Sequence, residues 1–228
     1  MSRIFVTGDT HRDFSRFEES IFYEQRDLTK DDHVVILGDF GGVWYGGESD
    51  DALLDELDAK PFTTLFVDGN HCSFPLLNAY PVEQWNGGKI HRIKPSVIHL
   101  MRGQVYNISG RKCFVMGGAK SQDKQFRKEG KSWWPEEMPS VEEYDEALEN
   151  LGQSHWKVNF VFTHCAPDDV QTQIEDWYEH DKLTNFLEIV QQDLTYDYWF
   201  FGHYHTNKMI TDKDIALYEQ IVEVGEWI

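Results

Sequence analysis

Ligand-type side chains follow five apolar runs of this chain. The short blocks read GDTH (8–11), GDF (38–40), GNH (69–71), TH (163–164) and GHYH (202–205). Their oxygen and imidazole donors are Asp9, His11, Asp39, Asn70, His164, His203 and His205. Such donors, with no sulfur among them, suit divalent cations such as manganese, iron or zinc. Seven donors are too many for one ion but suit two, so the sequence predicts a two-metal site.

Two metal ions at one site favour phosphoryl chemistry. Cations roughly 3.5 Å apart can clamp a phosphoryl group and acidify a shared water into a nucleophile near neutral pH. Each block taken alone is better explained as a turn after a strand of a Rossmann-like sheet. All five blocks at strand ends favour the metal site.

The elements that must position these donors are strands of a mainly parallel sheet. The apolar runs 3–9, 33–39 and 62–70 are predicted as strands, with helices at 13–27 and 50–59 between them. Asp9 precedes Asp39 by 30 residues and Asp39 precedes Asn70 by 31, the spacing of successive strand–helix–strand units. Because carboxyl ends of parallel strands share one edge, we expect these side chains to lie together.

The helix predicted at 13–27 depends on the spacing of four apolar side chains. Phe14, Phe17, Ile21 and Phe22 fall on one helical face, and Asp13 could cap the first turn. Further along, 96–119 contains three short strand-like runs broken at Arg102-Gly103 and Ser109-Gly110, which predicts antiparallel hairpins.

The second half of the chain begins with a long polar segment. Residues 120–140 show no clean period and contain two prolines, so we expect a long functional or mobile loop. Ser140 and Glu143 form a capping box for a helix at 141–152. A strand at 158–164 and a helix around 181–192 then lead to the GHYH block.

Composition limits the classes of protein this chain can belong to. A length of 228 residues predicts one α/β domain over 1–228, and a net charge of −19 argues against a long nucleic-acid groove or an anionic membrane surface. Cys72, Cys113 and Cys165 are widely spaced, which disfavours disulfides and thiolate zinc. Without a signal peptide or an apolar run of 18 residues, a cytoplasmic location is expected. These patterns do not predict an oligomeric state.

The five blocks, in order, resemble the motifs GDxH, GDxx(D/G), GNH(D/E), H and GHxH of the calcineurin-like metallophosphoesterase superfamily. The resemblance spans 8–205 and implies a four-layer α/β/β/α sandwich with mixed sheets. It implies that Asp9, His11, Asp39 and His205 bind one metal, and Asp39, Asn70, His164 and His203 the other. It also implies that His71 stabilises charge on the phosphoester or protonates the leaving oxygen. The expected cofactor is a pair of divalent cations, manganese first, with iron or zinc as alternatives.

Four positions depart from the phosphoprotein-phosphatase branch of that superfamily. Arg12 stands in place of a glycine, and Gly42 in place of the aspartate that orients the catalytic histidine. Val43 follows where a phosphate-gripping arginine is expected, and Cys72 replaces an acidic residue. These differences argue against a dedicated Ser/Thr protein phosphatase and leave His71 without an evident carboxylate partner.

Candidate substrate-binding residues point to a small phosphoester. Arg12 and Arg127 are predicted to grip phosphate oxygens, although Arg127 could equally be a solvated surface charge. Trp133 and Trp134 could stack a nucleobase or pack the loop as a flap. The favoured substrate is a nucleotide or a nucleic-acid end. The alternatives are a protein-phosphatase-like activity or a catalytically silent metal- or nucleotide-binding member.

Overall fold

A computed structural model of the chain describes residues 2–225. The strands are β1 Ile4–Thr7, β2 His33–Ile36, β3 Thr63–Phe66, β4 Val82–Trp85, β5 Gly88–Lys94, β6 Val97–Leu100, β7 Gln104–Ile108, β8 Arg111–Met116, β9 Phe160–Thr163, β10 Tyr198–Phe201, β11 Lys208–Met209, β12 Asp214–Ala216 and β13 Ile221–Glu223. The α-helices are α1 Glu48–Asp58, α2 Phe74–Leu77, α3 Val141–Gln153, α4 Asp168–Ile174 and α5 Lys182–Asp193.

The strands form two mixed sheets. The first has seven strands in the order β13-β1-β2-β3-β6-β5-β4, and β1, β2, β3 and β6 run parallel. The second has six in the order β11-β12-β10-β9-β8-β7, and β8, β9, β10 and β12 run parallel. The predicted α/β class with mixed sheets is therefore confirmed.

Three large clusters of buried apolar side chains hold these elements together. One joins both sheets, since it contains Val35 and Leu65 of the first and Phe162 and Phe200 of the second. Another packs α1 on the outer face of the first sheet. The third packs α3, α4 and α5 on the second sheet. The expected four-layer order stays a prediction.

The segment 13–27 is not an α-helix, and that prediction was wrong. It forms two short 3₁₀ turns, Ser15–Phe17 and Tyr23–Asp27, separated by extended backbone at Glu18. The Asp13 carboxylate accepts the Ser15 N–H at 2.9 Å, a local bond that competes with a regular helix. Burial of the phenylalanines on the first sheet outweighs helical spacing, and Ile21 is left 58% exposed.

The middle of the chain differs from the predicted run of hairpins. Three strands form within 96–119, but β6 joins the first sheet whereas β7 and β8 form an antiparallel hairpin in the second. Gly103, with φ of +70°, lies where the chain passes between the sheets. An unpredicted hairpin, β4–β5, turns at Asn86 and Gly87, both with positive φ.

The helix-capping prediction is confirmed. Ser140 Oγ accepts the Glu143 N–H at 3.2 Å, and the Glu143 carboxylate accepts the Ser140 N–H at 2.7 Å. Asp181 caps α5 in the same manner. Segment 120–140 contains two 3₁₀ turns, at Lys124–Phe126 and Pro135–Glu137, and an isolated β-bridge between Glu129 and Trp133; it is called the flap below. Among residues 2–225, every helix is too short or too polar to cross a bilayer.

Candidate metal centre

The predicted donors lie where strand ends of the two sheets meet. Asp9, Asp39 and Asn70 follow β1, β2 and β3 of the first sheet, whereas His164 and the two histidines of the last block follow β9 and β10 of the second. The two sheets approach closely here, because His164 Nδ1 lies 2.7 Å from the Leu37 carbonyl oxygen. The structure thus brings together donors from two sheet edges rather than from one.

Two glycines permit this close approach. A Cβ on Gly38, which has φ of +99°, would lie 2.0 Å from His164 Nδ1. A Cβ on Gly202 would lie 2.2 Å from Asp9 Oδ1. Only a residue without a side chain allows backbone to pass so near the donors.

Asp9, His11 and His205 form one group of donors. Asp9 Oδ2 lies 3.1 Å from His205 Nε2 and 3.6 Å from His11 Nε2. The two Nε2 atoms are 3.0 Å apart. His11 and His205 are partly open to solvent, whereas the Asp9 side chain is only 1% exposed. The three atoms therefore lie close together, with the Asp9 oxygen on the buried side of the group and the two histidine nitrogens on the side open to solvent.

Asp39, Asn70 and His164 form a second group, deeper in the molecule. His164 Nε2 lies 3.1 Å from Asn70 Oδ1 and 3.5 Å from Asp39 Oδ2. The His203 ring packs edge-on against His164, with centroids 5.0 Å apart. The backbone N–H of His203 donates to Asp9 Oδ1 at 2.8 Å. All seven predicted donors thus lie together.

Four of these donors adopt a left-handed backbone conformation. The φ angles are +44° at His11, +43° at Asp39, +67° at His203 and +47° at His205. Each such non-glycine residue costs on the order of 1–3 kcal/mol and persists only where the surroundings fix it. The strain is concentrated at the donors, as is typical of functional sites.

The charges of the buried donors are strongly coupled. Burial would raise the pKa of Asp9 and of Asp39, but the charge on His164 and hydrogen bonds from neighbouring histidines together outweigh it and hold both pKa values below their ordinary range. For His164, burial opposes ionisation, yet the two carboxylates raise its pKa to about 9. Burial, with the His164 charge, lowers the pKa of His203 to about 4. Two carboxylates this deeply buried need positive charge beside them, which a protein supplies by protonation or by cations.

His71 contacts an arginine of the flap. Arg127 Nη2 lies 3.0 Å from His71 Nδ1 and also contacts Nε2. The backbone N–H of His71 donates to Asp39 Oδ1 at 2.7 Å, which links this residue to the donor group. Burial, with the Arg127 charge, lowers the pKa of His71 against the pull of Asp39. A ring nitrogen of His71 lies within 4.8 Å of a carboxylate oxygen of Asp39.

Arg12 is occupied by structural partners. Its guanidinium donates to Asp50 Oδ1 at 2.6 Å and to Ser49 Oγ at 2.7 Å. Asp50 Oδ2 in turn accepts three backbone N–H groups, from Trp44, Tyr45 and Gly46. Arg12 therefore supports the turn before α1, in place of the free phosphate contact that its position beside His11 suggested.

The two tryptophans of the flap are buried. Trp133 and Trp134 are each 8% exposed, and Trp134 packs with Cys72, Phe74 and Trp44. Lys124 Nζ lies 3.7 Å from the Trp133 ring centroid. This burial matches the packing alternative, because neither ring offers an open face for a base.

Several residues that support the donors were not predicted. Arg16 Nη2 donates to the Asp9 carbonyl oxygen at 2.7 Å, and the Tyr218 ring stacks on His205 with centroids 4.4 Å apart. Ser121 of the flap contacts Asn70 directly, and Glu137 contacts Ser121 in turn. These residues have no motif around them, and only the folded chain brings them to the site.

Comparison with known proteins agrees with this geometry. A family model described as calcineurin-like phosphoesterase matches residues 2–207. None of the curated proteins compared with the chain matches it significantly. The matched range contains every donor described above and both sheets apart from the strands after residue 207. The chain belongs to the calcineurin-like phosphoesterase family.

Proposed function

We propose that this protein hydrolyses phosphoesters with two divalent cations held by Asp9, His11, Asp39, Asn70, His164, His203 and His205. The observation that carries the proposal is the convergence of these donors. Three groups have ligand atoms within 4.8 Å of one another: Asp9, His11 and His205; His11, Asp39 and His71; and Asp9, Asp39 and His164. Asn70 and His203 join them through their contacts with His164. Asp9 and Asp39 each belong to two groups, which suits a pair of neighbouring cations. Manganese suits the carboxylate, amide and imidazole donors, and iron or zinc are alternatives.

The donor set fits such cations on chemical grounds. Two buried carboxylates provide negative charge, and imidazoles complete the groups without sulfur. The Leu37 carbonyl at His164 Nδ1 leaves Nε2 facing Asn70 and Asp39, the arrangement a metal-binding histidine needs. Bound divalent cations would supply Lewis-acid polarisation of the phosphoryl group and acidification of water.

The chain's own groups would orient the substrate. His71 would face a phosphoester oxygen, and support for this is that one of its ring nitrogens lies within 4.8 Å of ligand atoms of His11 and Asp39. Arg127 carries a fixed positive charge next to His71, and its Nη2 group could turn from the His71 ring to a phosphate oxygen. Because Arg127 donates to the His71 ring, the pair presents hydrogen-bond donors and positive charge to an anionic group.

A nucleotide or nucleic-acid end is the substrate class that the flap favours. Residues 120–131 contain five basic residues and two acidic ones, in a chain of net charge −19. Lys120 and Lys124 line a cavity of about 320 Å³ that reaches His203. The Phe126 ring, next to Arg127, is 84% exposed and can stack on a base. Local positive charge beside an open aromatic ring suits an anionic, base-bearing phosphoester.

Hydrolysis by variant enzymes tests the proposal. With Mn²⁺ present, the wild type should cleave p-nitrophenyl phosphate or its bis-ester, and Asp39→Asn and His164→Ala should reduce turnover to background. Asp145→Asn, which changes an exposed carboxylate of α3, is the matched control and should keep full activity. Wild-type turnover in both site variants, or no hydrolysis of any phosphomonoester, diester or nucleotide by the wild type, would refute the proposal.

A further inference from the structure

Two buried polar residues of the flap, Ser121 and Glu137, connect it to the donor Asn70. Asn70 Nδ2 donates to Ser121 Oγ at 3.2 Å. Ser121 Oγ donates to Glu137 Oε2 at 2.5 Å, and the Ser121 N–H donates to Glu137 Oε1 at 3.0 Å. All three residues are buried, with Glu137 only 2% exposed. The far end of this chain of hydrogen bonds is the Asn70 Oδ1 atom that faces His164.

The direction of these hydrogen bonds follows from a count of protons. An ionised carboxylate only accepts, so Glu137 takes the single hydroxyl proton of Ser121. Ser121 Oγ can then only accept from Asn70, which must present its NH₂ group to the serine. The amide is planar, so its carbonyl oxygen points the other way, toward His164 Nε2. An asparagine with the reverse orientation would present N–H groups to a cation and could not bind it.

We infer that Glu137 and Ser121 are positioning residues, which fix the Asn70 amide with its oxygen toward the metal site. This inference rests on the proposed function, because it requires Asn70 to bind a cation. The flap then has a role beyond covering the site: the metal site reaches full affinity only when residues 121 and 137 are in place. Removal of a comparable supporting contact typically costs 10–100-fold in metal affinity.

The test measures manganese binding directly, by the loss of the electron paramagnetic resonance signal of free Mn²⁺ during titration. Ser121→Ala and Glu137→Gln should each weaken one of two binding events about 10–100-fold and leave the other unchanged. Glu137→Gln keeps the shape of the side chain, so it carries the test if Ser121→Ala does not fold. Ser132→Ala removes another flap hydroxyl, one that contacts only the Lys128 N–H, and should bind as the wild type.

A second substitution separates orientation from mere stability. An aspartate at position 70 has two equivalent oxygens and no wrong orientation. In an Asn70→Asp background, Ser121→Ala should therefore change the manganese affinity by a factor close to one. Unchanged manganese affinity in Ser121→Ala and Glu137→Gln would overturn the inference, as would an equal loss in the Asn70→Asp background. A wild type that binds no Mn²⁺ would instead refute the proposed function.

Discussion

Arg127 Nη2 of the flap lies 3.0 Å from Nδ1 of His71, so a residue far away in sequence touches the imidazole beside the donors. The side chain is also held by Asp123, whose Oδ1 is 2.7 Å from Arg127 Nε. This pairing gives the His71 ring a cationic neighbour where related phosphatases are expected to supply a carboxylate.

Replacement of Arg127 tests its role in substrate binding. Arg127→Ala should lower kcat/KM about 10–100-fold, because a charge-assisted hydrogen bond to phosphate contributes about 1.5–3 kcal/mol. Arg127→Lys should recover only part of the loss, since an ammonium cannot donate in two-pronged fashion. Lys157→Ala, at an exposed position outside the flap, is the control for loss of a positive charge. Equal kcat/KM values for wild type and Arg127→Ala would show that the arginine only packs the flap.

Two glycine substitutions should have opposite effects. Gly38→Ala places a Cβ 2.0 Å from His164 Nδ1 at a backbone φ of +99°, so we expect loss of activity and a lower free energy of unfolding. Gly152→Ala, near the end of α3, adds a Cβ with no atom within 4 Å. It should raise the free energy of unfolding by up to about 1 kcal/mol. Urea denaturation and turnover of both variants check this, and a harmless Gly38→Ala would contradict the close packing at His164.

Arg12 should act on stability more than on substrate affinity. Its removal leaves the buried Asp50 without an ion-pair partner, and we expect Arg12→Ala to cost about 2 kcal/mol in unfolding free energy. Asp50→Asn in the Arg12→Ala background should cost less than Asp50→Asn alone, because the two side chains interact directly. An Arg12→Ala enzyme of normal stability but raised KM would restore the original prediction of phosphate contact.

The buried His33 should make stability depend on pH. Burial lowers the pKa of His33 to about 4, against 6.5 for the unfolded chain. Between these values the unfolded state binds more protons, so the wild type loses stability as pH falls from 6.5 toward 4. His33→Gln removes this loss, and its stability relative to wild type should rise by about 3 kcal/mol between pH 7 and pH 4. Parallel pH profiles of unfolding free energy for the two proteins would contradict the burial of a neutral imidazole.

Sequence patterns predict most of what the strands contribute to this site. The glycine and polar residue after β1, β2, β3 and β10 indicate strand ends, and the even spacing of Asp9, Asp39 and Asn70 predicts that these three lie side by side. The capping box at Ser140 was predicted correctly because its two hydrogen bonds depend only on residues three apart.

What the sequence does not predict depends on contacts between distant residues. The helical spacing of Phe14, Phe17 and Phe22 is satisfied by two 3₁₀ turns, because burial on the first sheet decides the local conformation. The Asn86-Gly87 pair is a known hairpin signal, so the β4–β5 hairpin is predictable from the sequence although it is not among the predictions above. Glu137 reaches Asn70 only through the folded flap, and no spacing rule relates positions 70, 121 and 137.

Diffraction from crystals soaked in Mn²⁺, recorded with anomalous scattering, tests the central claim most directly. Two anomalous peaks about 3.5 Å apart should lie among Asp9, His11, Asp39, Asn70, His164, His203 and His205. Peaks absent from this site, or peaks bound elsewhere while these seven side chains keep their present contacts, would contradict a paired-cation centre.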